Sequence, residues 1–230
     1  ILRQSLKFEL FLMKILKPFL LIAFSFLTLL LMSFSDSSKQ TSVYKNNQQE
    51  LKIAYFASGC FWCVEAIFES VKGVEEAVSG YAGGFTKDPT YASIGTGRTG
   101  HSETVAVYYN PAKVDFKTLV KVFYGSHDPT TVNGQHPDYG SQYRSIAFYS
   151  NVKEKAIIKA YIKELNDSYY KGKIVTEVTE LVQFYKAEEY HQNYEKQNPN
   201  NPYVKNVSVP RLNRFKEAFP ELLKKEVRKH

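Results

Sequence analysis

Apolar side chains between residues 51 and 200 recur with two different periods, which indicates a mixture of strands and helices. Four segments have the short, alternating or wholly apolar pattern typical of strands: residues 53–57, 74–81, 102–109 and 144–149. In the third segment, Glu103 falls in phase with Val105 and Val107 on an apolar face. A carboxyl group therefore occupies a position where a hydrophobic side chain is expected.

Apolar positions spaced three and four residues apart follow the first, third and fourth of these strands and predict helices. The first helix begins after Gly59. Asp115 is placed to cap the second helix, and Asn151 opens the third with a capping-box pattern that ends at Glu154. The chain order is β-α-β-β-α-β, followed by the third helix. This order predicts an α+β fold with a ferredoxin-like split βαβ core, in which helices cover one side of an antiparallel sheet.

Two long segments rich in Gly, Pro, Asn and Asp, residues 83–100 and 126–142, are predicted to lie as loops over the functional site. Residues 201–230 are expected to form a C-terminal extension that packs on the domain or trails from it. Within this extension the apolar spacing predicts short helices at residues 212–219 and 222–227.

The N-terminal residues have the pattern of a secretory signal. Lys14 and Lys17 precede an apolar run of 14 residues, 19–32, which small residues follow. We interpret residues 1–35 as a signal peptide or N-terminal anchor, although the run is shorter than the ~20 apolar residues of a full membrane span. The polar residues 36–50 are predicted to be a disordered linker. The protein is thus expected to be exported, periplasmic or secreted, or tethered to a membrane, rather than cytoplasmic.

The formal net charge of +7 falls to +4 without residues 1–35, because that segment holds four basic residues and one acidic residue. Much of the basic character therefore belongs to the N-terminal segment, and the composition does not predict a nucleic-acid partner. The chain has 230 residues, of which 43% are hydrophobic, enough for one well-packed domain. We expect a monomer.

The only two cysteines, Cys60 and Cys63, lie one helical turn apart at the predicted head of the first helix. Unpaired amide groups and the dipole at a helix N-terminus stabilise an anion, which favours a reactive Cys60 thiolate over the alternative of an inert buried cysteine. A zinc site that adds His127 and His136 to the pair is disfavoured. One CxxC without a second ligand pair at zinc-finger spacing is a weak signal, so no metal is predicted.

Burial of Glu103 on its apolar strand face disfavours the charged form, so its pKa is expected to rise. The side chain then serves as a proton donor near neutral pH. The alternative is a carboxylate that reaches solvent from the first turn of the strand. Alternation directs His101 to the opposite face of the strand, and we interpret His101 and His191 as structural.

Five segments together resemble the signature segments of the peptide methionine sulfoxide reductase A family. They are residues 59–62, 78–81, 99–105, 142–145 and 187–192, in the order and spacing of that family. The resemblance runs from about residue 52 to residue 199, and it implies that residues 51–200 form a catalytic reductase domain. Members of the family reduce the S-epimer of methionine sulfoxide, free or in proteins, to methionine.

The resemblance also implies roles for individual side chains. Cys60 is the nucleophile that attacks the sulfoxide sulfur, and Glu103 is the general acid that protonates the sulfoxide oxygen. Tyr81 and Tyr143 are expected to donate hydrogen bonds to that oxygen, while Asp138 helps to order the site.

The aromatic neighbours of the nucleophile have an implied role as well. Phe61 and Trp62 are expected to form the apolar pocket for the S-methyl group of the substrate. Aromatic walls suit a thioether methyl group, which supports this role on physical grounds.

Cys63 departs from many family members, in which glycine holds this position and recycling cysteines lie near the C-terminus. Attack on the sulfoxide leaves a sulfenic acid on Cys60, which condenses readily with a neighbouring thiol. We therefore predict a Cys60–Cys63 disulfide that thioredoxin or a similar partner, or dithiothreitol in vitro, reduces. No bound cofactor is expected, and the implied function is repair of oxidised methionine in exported proteins.

Two other functions remain open on the sequence alone. The pair Cys60 and Cys63 also suits a thiol–disulfide oxidoreductase. Outside the enzymes, the alternative is an aromatic-rich binding module in which the thiols are incidental. Residues 95–100 match GxGxxG, but a strand follows them where the dinucleotide fingerprint needs a helix, so we discard this match.

Overall fold

The computed structural model of the chain describes residues 50–227. The predictions of a signal peptide or anchor at residues 1–35 and of a linker over residues 36–50 fall, except for Glu50, outside the described residues. Between residues 50 and 227 there is no helix of the length and apolar character that a membrane span needs.

The described part of the chain contains eight strands and six α-helices. The strands are β1 (Lys52–Ser58), β2 (Val74–Ala82), β3 (Ser102–Tyr109), β4 (Gly134–Gln135), β5 (Asp138–Tyr139), β6 (Ser145–Tyr149), β7 (Glu177–Glu180) and β8 (Phe184–Lys186). The helices are α1 (Phe61–Glu69), α2 (Tyr91–Ile94), α3 (Phe116–Gly125), α4 (Val152–Leu165), α5 (Tyr194–Gln197) and α6 (Val209–Ala218). Asp115 and Asn151 accept backbone N–H groups at the heads of α3 and α4, so both predicted caps are confirmed.

Six strands form one sheet in the order β7-β6-β1-β3-β2-β8, and β4 pairs with β5 in a separate two-stranded sheet. Neighbouring strands of the large sheet are antiparallel except β6 and β7, which run parallel. The α+β class is confirmed. The expectation of a wholly antiparallel sheet is wrong at the edge strand β7, which runs parallel to β6. The reason is that α4 connects β6 to β7 and carries the chain back along the sheet, as a parallel neighbour requires.

The two faces of the large sheet are covered differently. On β1, the side chain of Phe56 points into the main core, whereas Ala57 belongs to a small cluster on the opposite face with Ile146. The Phe56 ring is fully buried and lies 5.1 Å from the ring of Phe68 on α1 and 5.1 Å from that of Phe123 on α3. Because removing a phenyl ring from such a core costs roughly 3–5 kcal/mol, this packing holds α1 firmly against β1.

The C-terminal segment packs on this core. Val204, Phe215 and Leu223 are buried, and Leu223 forms an isolated β-bridge with Val71 after α1. Helix α6 overlaps most of the residue range, 212–219, predicted for the first helix of the extension. The second predicted helix, over residues 222–227, is wrong. Leu223 is extended where it pairs with Val71, and a turn follows in which the N–H of Val227 donates to the carbonyl of Lys224.

Candidate active site

A tight turn at Gly59 joins β1 to α1 and places Cys60 at the N-cap of the helix. Gly59 has a φ of +88°, and a Cβ atom built on it lies 2.7 Å from the Cβ of Gln135. Both the backbone angle and the available space therefore exclude a side chain at this position. Cys60 and Cys63 are free thiols, 6% and 1% exposed. The predicted position of Cys60 at a strand-to-helix junction is confirmed.

Glu103 lies beside Cys60. Its Oε2 accepts a hydrogen bond of 2.9 Å from the backbone N–H of Phe61, the residue after Cys60. The side chain is 2% exposed, and burial raises the pKa of Glu103 to about 8 although the Phe61 N–H opposes this rise. The expectation that Glu103 is sheltered from water is confirmed, and the raised pKa agrees with a proton held near neutral pH.

The two thiols contact each other, yet their acidities differ. Burial, followed by the hydrogen bond with Cys63 and the negative charge of Glu103, raises the pKa of Cys60. The hydrogen bond from Cys60 lowers the pKa of Cys63 to about 6, against the effect of burial and with help from the charge of Arg211. The pKa of Cys60 is therefore shifted in the direction opposite to the one expected for a thiol at a helix N-terminus. The N–H of Phe61 at the head of the helix binds Glu103 and not a thiolate.

Aromatic rings surround Phe61, next to Cys60. The Phe61 ring lies 6.2 Å from that of Tyr91 and 4.9 Å from that of His191. The Nε1 of Trp62 donates to Nδ1 of His191 at 3.2 Å, and the indole stacks on Tyr194 with 3.7 Å between centroids. The structure thus places Phe61 and Trp62 in one aromatic wall and fixes the indole from two sides.

The structure separates two tyrosines that the resemblance groups together. The hydroxyl of Tyr81 donates to Oε2 of Glu188 at 2.7 Å, and a tyrosine hydroxyl has only one proton to donate. Tyr91, which the sequence analysis did not single out, hydrogen-bonds to Tyr143. Burial, and next the charge of Glu103, raises the pKa of Tyr91 to about 12 and raises that of Tyr143 as well. The expectation for Tyr81 is corrected: Tyr91 and Tyr143 supply the pair of hydroxyl groups near the acid.

Asp138 reaches the second thiol through a tyrosine of the C-terminal segment. The hydroxyl of Tyr203 donates to Oδ2 of Asp138 at 2.5 Å and lies 3.9 Å from Sγ of Cys63. Asp138 is partly buried, and burial raises the pKa of its carboxyl group. The structure therefore places Asp138 within the site, with Tyr203 between it and Cys63.

The two histidines predicted to be structural have different surroundings. Nδ1 of His101 accepts the N–H of Gly84 at 3.2 Å, so its Nε2 carries the proton and donates to the carbonyl of Thr86 at 2.8 Å. This pair of bonds ties the 83–100 loop to β3, and the structural interpretation of His101 is confirmed. His191 is 1% exposed, burial lowers its pKa, and its Nε2 has no hydrogen-bond partner among residues 50–227.

Nothing in the described segment resembles a metal centre: residues 50–227 contain no group of three or more His, Cys, Asp or Glu side chains arranged around an ion. His127, considered above as a zinc ligand, has both ring nitrogens occupied. Its Nδ1 donates to the carbonyl of Phe123 and its Nε2 accepts from Oγ of Ser145, each at 2.7 Å. The chemistry that the geometry offers is that of two thiols beside a protonated carboxyl group.

Comparison with known proteins assigns the family. A family model described as peptide methionine sulfoxide reductase matches residues 52–223. The chain belongs to this family. A peptide methionine sulfoxide reductase MsrA of Natronomonas pharaonis is 47% identical over 169 residues, which cover 73% of this chain and 95% of the relative. MsrA of Ruthia magnifica is 47% identical over 165 residues, with coverages of 72% and 98%.

Solved peptide methionine sulfoxide reductases share the fold. Methionine sulfoxide reductase A of Corynebacterium diphtheriae aligns with a TM-score of 0.61 at 35% identity, over 67% of this chain and 78% of that one. Mxr1 from Saccharomyces cerevisiae in reduced form aligns with a TM-score of 0.62 at 33% identity, over 66% and 88%. The predicted family and enzyme class are confirmed.

Sequence reasoning missed four side chains of this reductase site: Tyr91, Glu188, Tyr203 and Arg211. Tyr91 lies in a loop predicted to cover the site, and Glu188 lies in a signature segment, so a signal existed for both. Oε1 of Glu188 accepts the N–H of Tyr91 at 2.9 Å, which positions that loop. Tyr203 and Arg211 lie in the C-terminal extension, where no pattern indicates that side chains reach the thiols.

Proposed function

We propose that this protein reduces the S-epimer of methionine sulfoxide, free or in proteins, to methionine through Cys60. The observation that carries the proposal is the buried Glu103 carboxyl group, which the N–H of Phe61 holds beside Cys60 and which keeps its proton near neutral pH. A sulfoxide loses its oxygen only if that oxygen is protonated as the sulfur is attacked. An acid and a thiol in one sheltered place meet this need.

In the first step, the sulfur of Cys60 attacks the sulfoxide sulfur while Glu103 gives its proton to the sulfoxide oxygen. The hydroxyl group then passes from the substrate sulfur to the sulfur of Cys60 as the bond between the two sulfurs breaks, so methionine leaves as the thioether and Cys60 holds a sulfenic acid. The Glu103 carboxylate takes up the proton of the thiol, so the acid is restored. The substrate sulfur gains two electrons and Cys60 loses two. The raised pKa of Cys60 suits this exchange, because the thiol loses its proton as the new bond forms.

The surroundings of Glu103 support the binding of the substrate. Tyr91 and Tyr143 present hydroxyl groups near the acid, and when the substrate binds, their mutual hydrogen bond gives way to hydrogen bonds with the sulfoxide oxygen. Phe61 and Trp62 hold the S-methyl group against their rings. One epimer is favoured because the oxygen and the methyl group must point to different walls at the same time.

In the second step, Cys63 attacks the sulfenic acid and forms a Cys60–Cys63 disulfide, which thioredoxin then reduces. The two thiols already touch, since a hydrogen bond between them contributes to the pKa of each. No metal or bound cofactor takes part. Dithiothreitol replaces thioredoxin in vitro.

The proposal extends to location and fold. The two basic residues Lys14 and Lys17 and the apolar run after them support export or tethering, and hence repair of exported proteins. We further propose that the protein acts as a monomer. The order β6-β1-β3-β2 with antiparallel neighbours supports a ferredoxin-like split βαβ core within a reductase domain of residues 51–200.

The test is an assay of the purified protein on the separated epimers of methionine sulfoxide with dithiothreitol as reductant. We expect methionine to form from the S-epimer and not from the R-epimer. Reduction of insulin disulfides without turnover of either epimer contradicts the proposal and favours a thiol–disulfide oxidoreductase. Binding of either epimer without turnover favours the non-catalytic alternative.

A further inference from the structure

We propose that Arg211, on the C-terminal helix α6, is a positioning residue for recycling, because its guanidinium group stabilises the Cys63 thiolate that attacks the oxidised Cys60. The inference rests on the proposed function and concerns only its second step. It gives the C-terminal extension, which lacks cysteine, a part in recycling.

Three side chains of the extension converge on Cys63. Tyr203 lies 3.9 Å from its Sγ through the hydroxyl group. Ser208 acts on Cys63 through a side-chain hydrogen bond, and Arg211 acts through its charge. Cys63, Tyr203 and Arg211 also line one cavity of about 550 Å³. The surroundings of the second thiol are thus built largely by residues that come after position 200.

The guanidinium group of Arg211 is held in place by backbone carbonyls. Its Nε donates to the carbonyl of Ser126 at 2.8 Å, and its Nη2 donates to that of Ser58 at 2.9 Å. Ser58 ends β1, two residues before Cys60. Within the described part of the chain, no carboxylate forms an ion pair with Arg211, so its charge is not neutralised by direct contact.

Several titratable groups face Cys63 from the elements packed around it. They are Cys60 at the head of α1, Glu103 on β3, His127, Asp128 and His136 after α3, Asp138 on β5, and Tyr203, Arg211 and Arg214 in the extension. His127 is neutral near pH 7, because burial lowers its pKa to about 3. The guanidinium groups of Arg211 and Arg214 carry positive charge. Of these two, Arg211 acts on Cys63, where it adds to the hydrogen bond from Cys60 in lowering the pKa of Cys63 to about 6.

The chemistry of recycling needs this thiolate. The sulfur of Cys63 attacks the sulfur of the Cys60 sulfenic acid, the sulfur–sulfur bond forms and the sulfur–oxygen bond breaks. The hydroxide that leaves takes a proton from solvent and becomes water. The sulfenic sulfur gains the electrons that the thiolate sulfur loses, so no further oxidant is required.

The test compares Arg211→Gln with wild type after one equivalent of methionine sulfoxide in the absence of reductant. Methionine release reports the first step, and its rate is measured in the same samples so that disulfide formation is compared at equal amounts of oxidised Cys60. Rapid alkylation followed by mass spectrometry reports disulfide formation. Loss of a nearby opposite charge raises a pKa by at least about one unit, so disulfide formation at pH 6 slows about fivefold or more and its pH midpoint moves upward.

Two variants serve as controls. Arg214→Gln removes an exposed charge from the same helix and the same cavity, and it is expected to leave the pH midpoint where it is. Arg211→Lys restores the charge without the planar pair of donors, and it is expected to return the midpoint most of the way to that of wild type.

The outcomes separate the two proposals. Wild type that forms no methionine from either epimer overturns the proposed function. Normal methionine release together with an unshifted pH midpoint in Arg211→Gln overturns the inference about Arg211 alone. Should Arg211→Gln fold poorly, the midpoint in Arg211→Lys decides: a midpoint near that of wild type supports the role of the charge, and one moved up by a unit or more rejects it.

Discussion

Cys60 and Cys63 lie one turn apart on the same helix, yet the two thiols have opposite surroundings. Cys60 lies beside Glu103 of the sheet, and burial together with that carboxyl group raises its pKa. Cys63 lies against the C-terminal extension, and its pKa is lowered first by the hydrogen bond from Cys60 and then by the charge of Arg211. A carboxyl group thus lies beside Cys60, and a guanidinium group acts on Cys63.

The difference matches the two chemical tasks that we propose. Reduction of a sulfoxide needs a proton at the oxygen, which the sheltered carboxyl group of Glu103 supplies. Recycling needs a nucleophilic thiolate, which the cationic side supplies through Arg211. A single helical turn thus separates a site for acid catalysis from a site for nucleophilic attack.

The largest expected effect comes from replacing each cysteine in turn by serine. Cys60→Ser is expected to abolish methionine formation, whereas Cys63→Ser is expected to release one methionine per protein and then to stop with thioredoxin as reductant. Mass spectrometry of the oxidised proteins should show a sulfenic acid on Cys60 in Cys63→Ser and a disulfide in wild type. If Cys60 of the wild type remains a sulfenic acid while Cys63 stays a free thiol, the recycling role proposed for Cys63 is contradicted.

Glu103→Gln is expected to lower kcat/KM for sulfoxide reduction by roughly 10²–10⁴-fold, because a positioned general acid contributes about this much. In wild type the rate should fall as the pH rises above about 8, since Glu103 is the proton donor below its folded pKa and a carboxylate above it. The rate of Glu103→Gln should not fall in this way as the pH rises above about 8. A rate or a high-pH limb equal to that of wild type shows that another group is the acid.

A smaller effect is expected from the tyrosines on the acid side. Tyr91→Phe removes a hydroxyl group near Glu103 and should lower kcat roughly tenfold or more. Tyr81→Phe is the matched control, because its hydroxyl donates to Glu188 and should change kcat less than about threefold. Steady-state kinetics of both variants measure kcat. If kcat falls equally in the two, the assignment of the oxygen-binding hydroxyl group to Tyr91 in place of Tyr81 is wrong.

Local signals in the sequence predicted much of the architecture. Alternation identified β3 and the buried Glu103, and residues with capping side chains identified the starts of α3 and α4. The parallel edge strand β7 was not predictable in this way. Its direction depends on where α4 delivers the chain, which no local pattern records.

The sequence by itself determined that two thiols lie one turn apart after a glycine turn, and that a carboxyl group lies on an apolar strand face. Both follow from periods that act over a few residues. Only the tertiary structure decided which charged groups act on each thiol, which tyrosine hydroxyl groups lie near Glu103, and that Arg211 and Cys63 line one cavity. These properties depend on burial and on charges brought together from distant parts of the chain, and the electrostatic energy of a group depends on that environment more than on its neighbours in sequence.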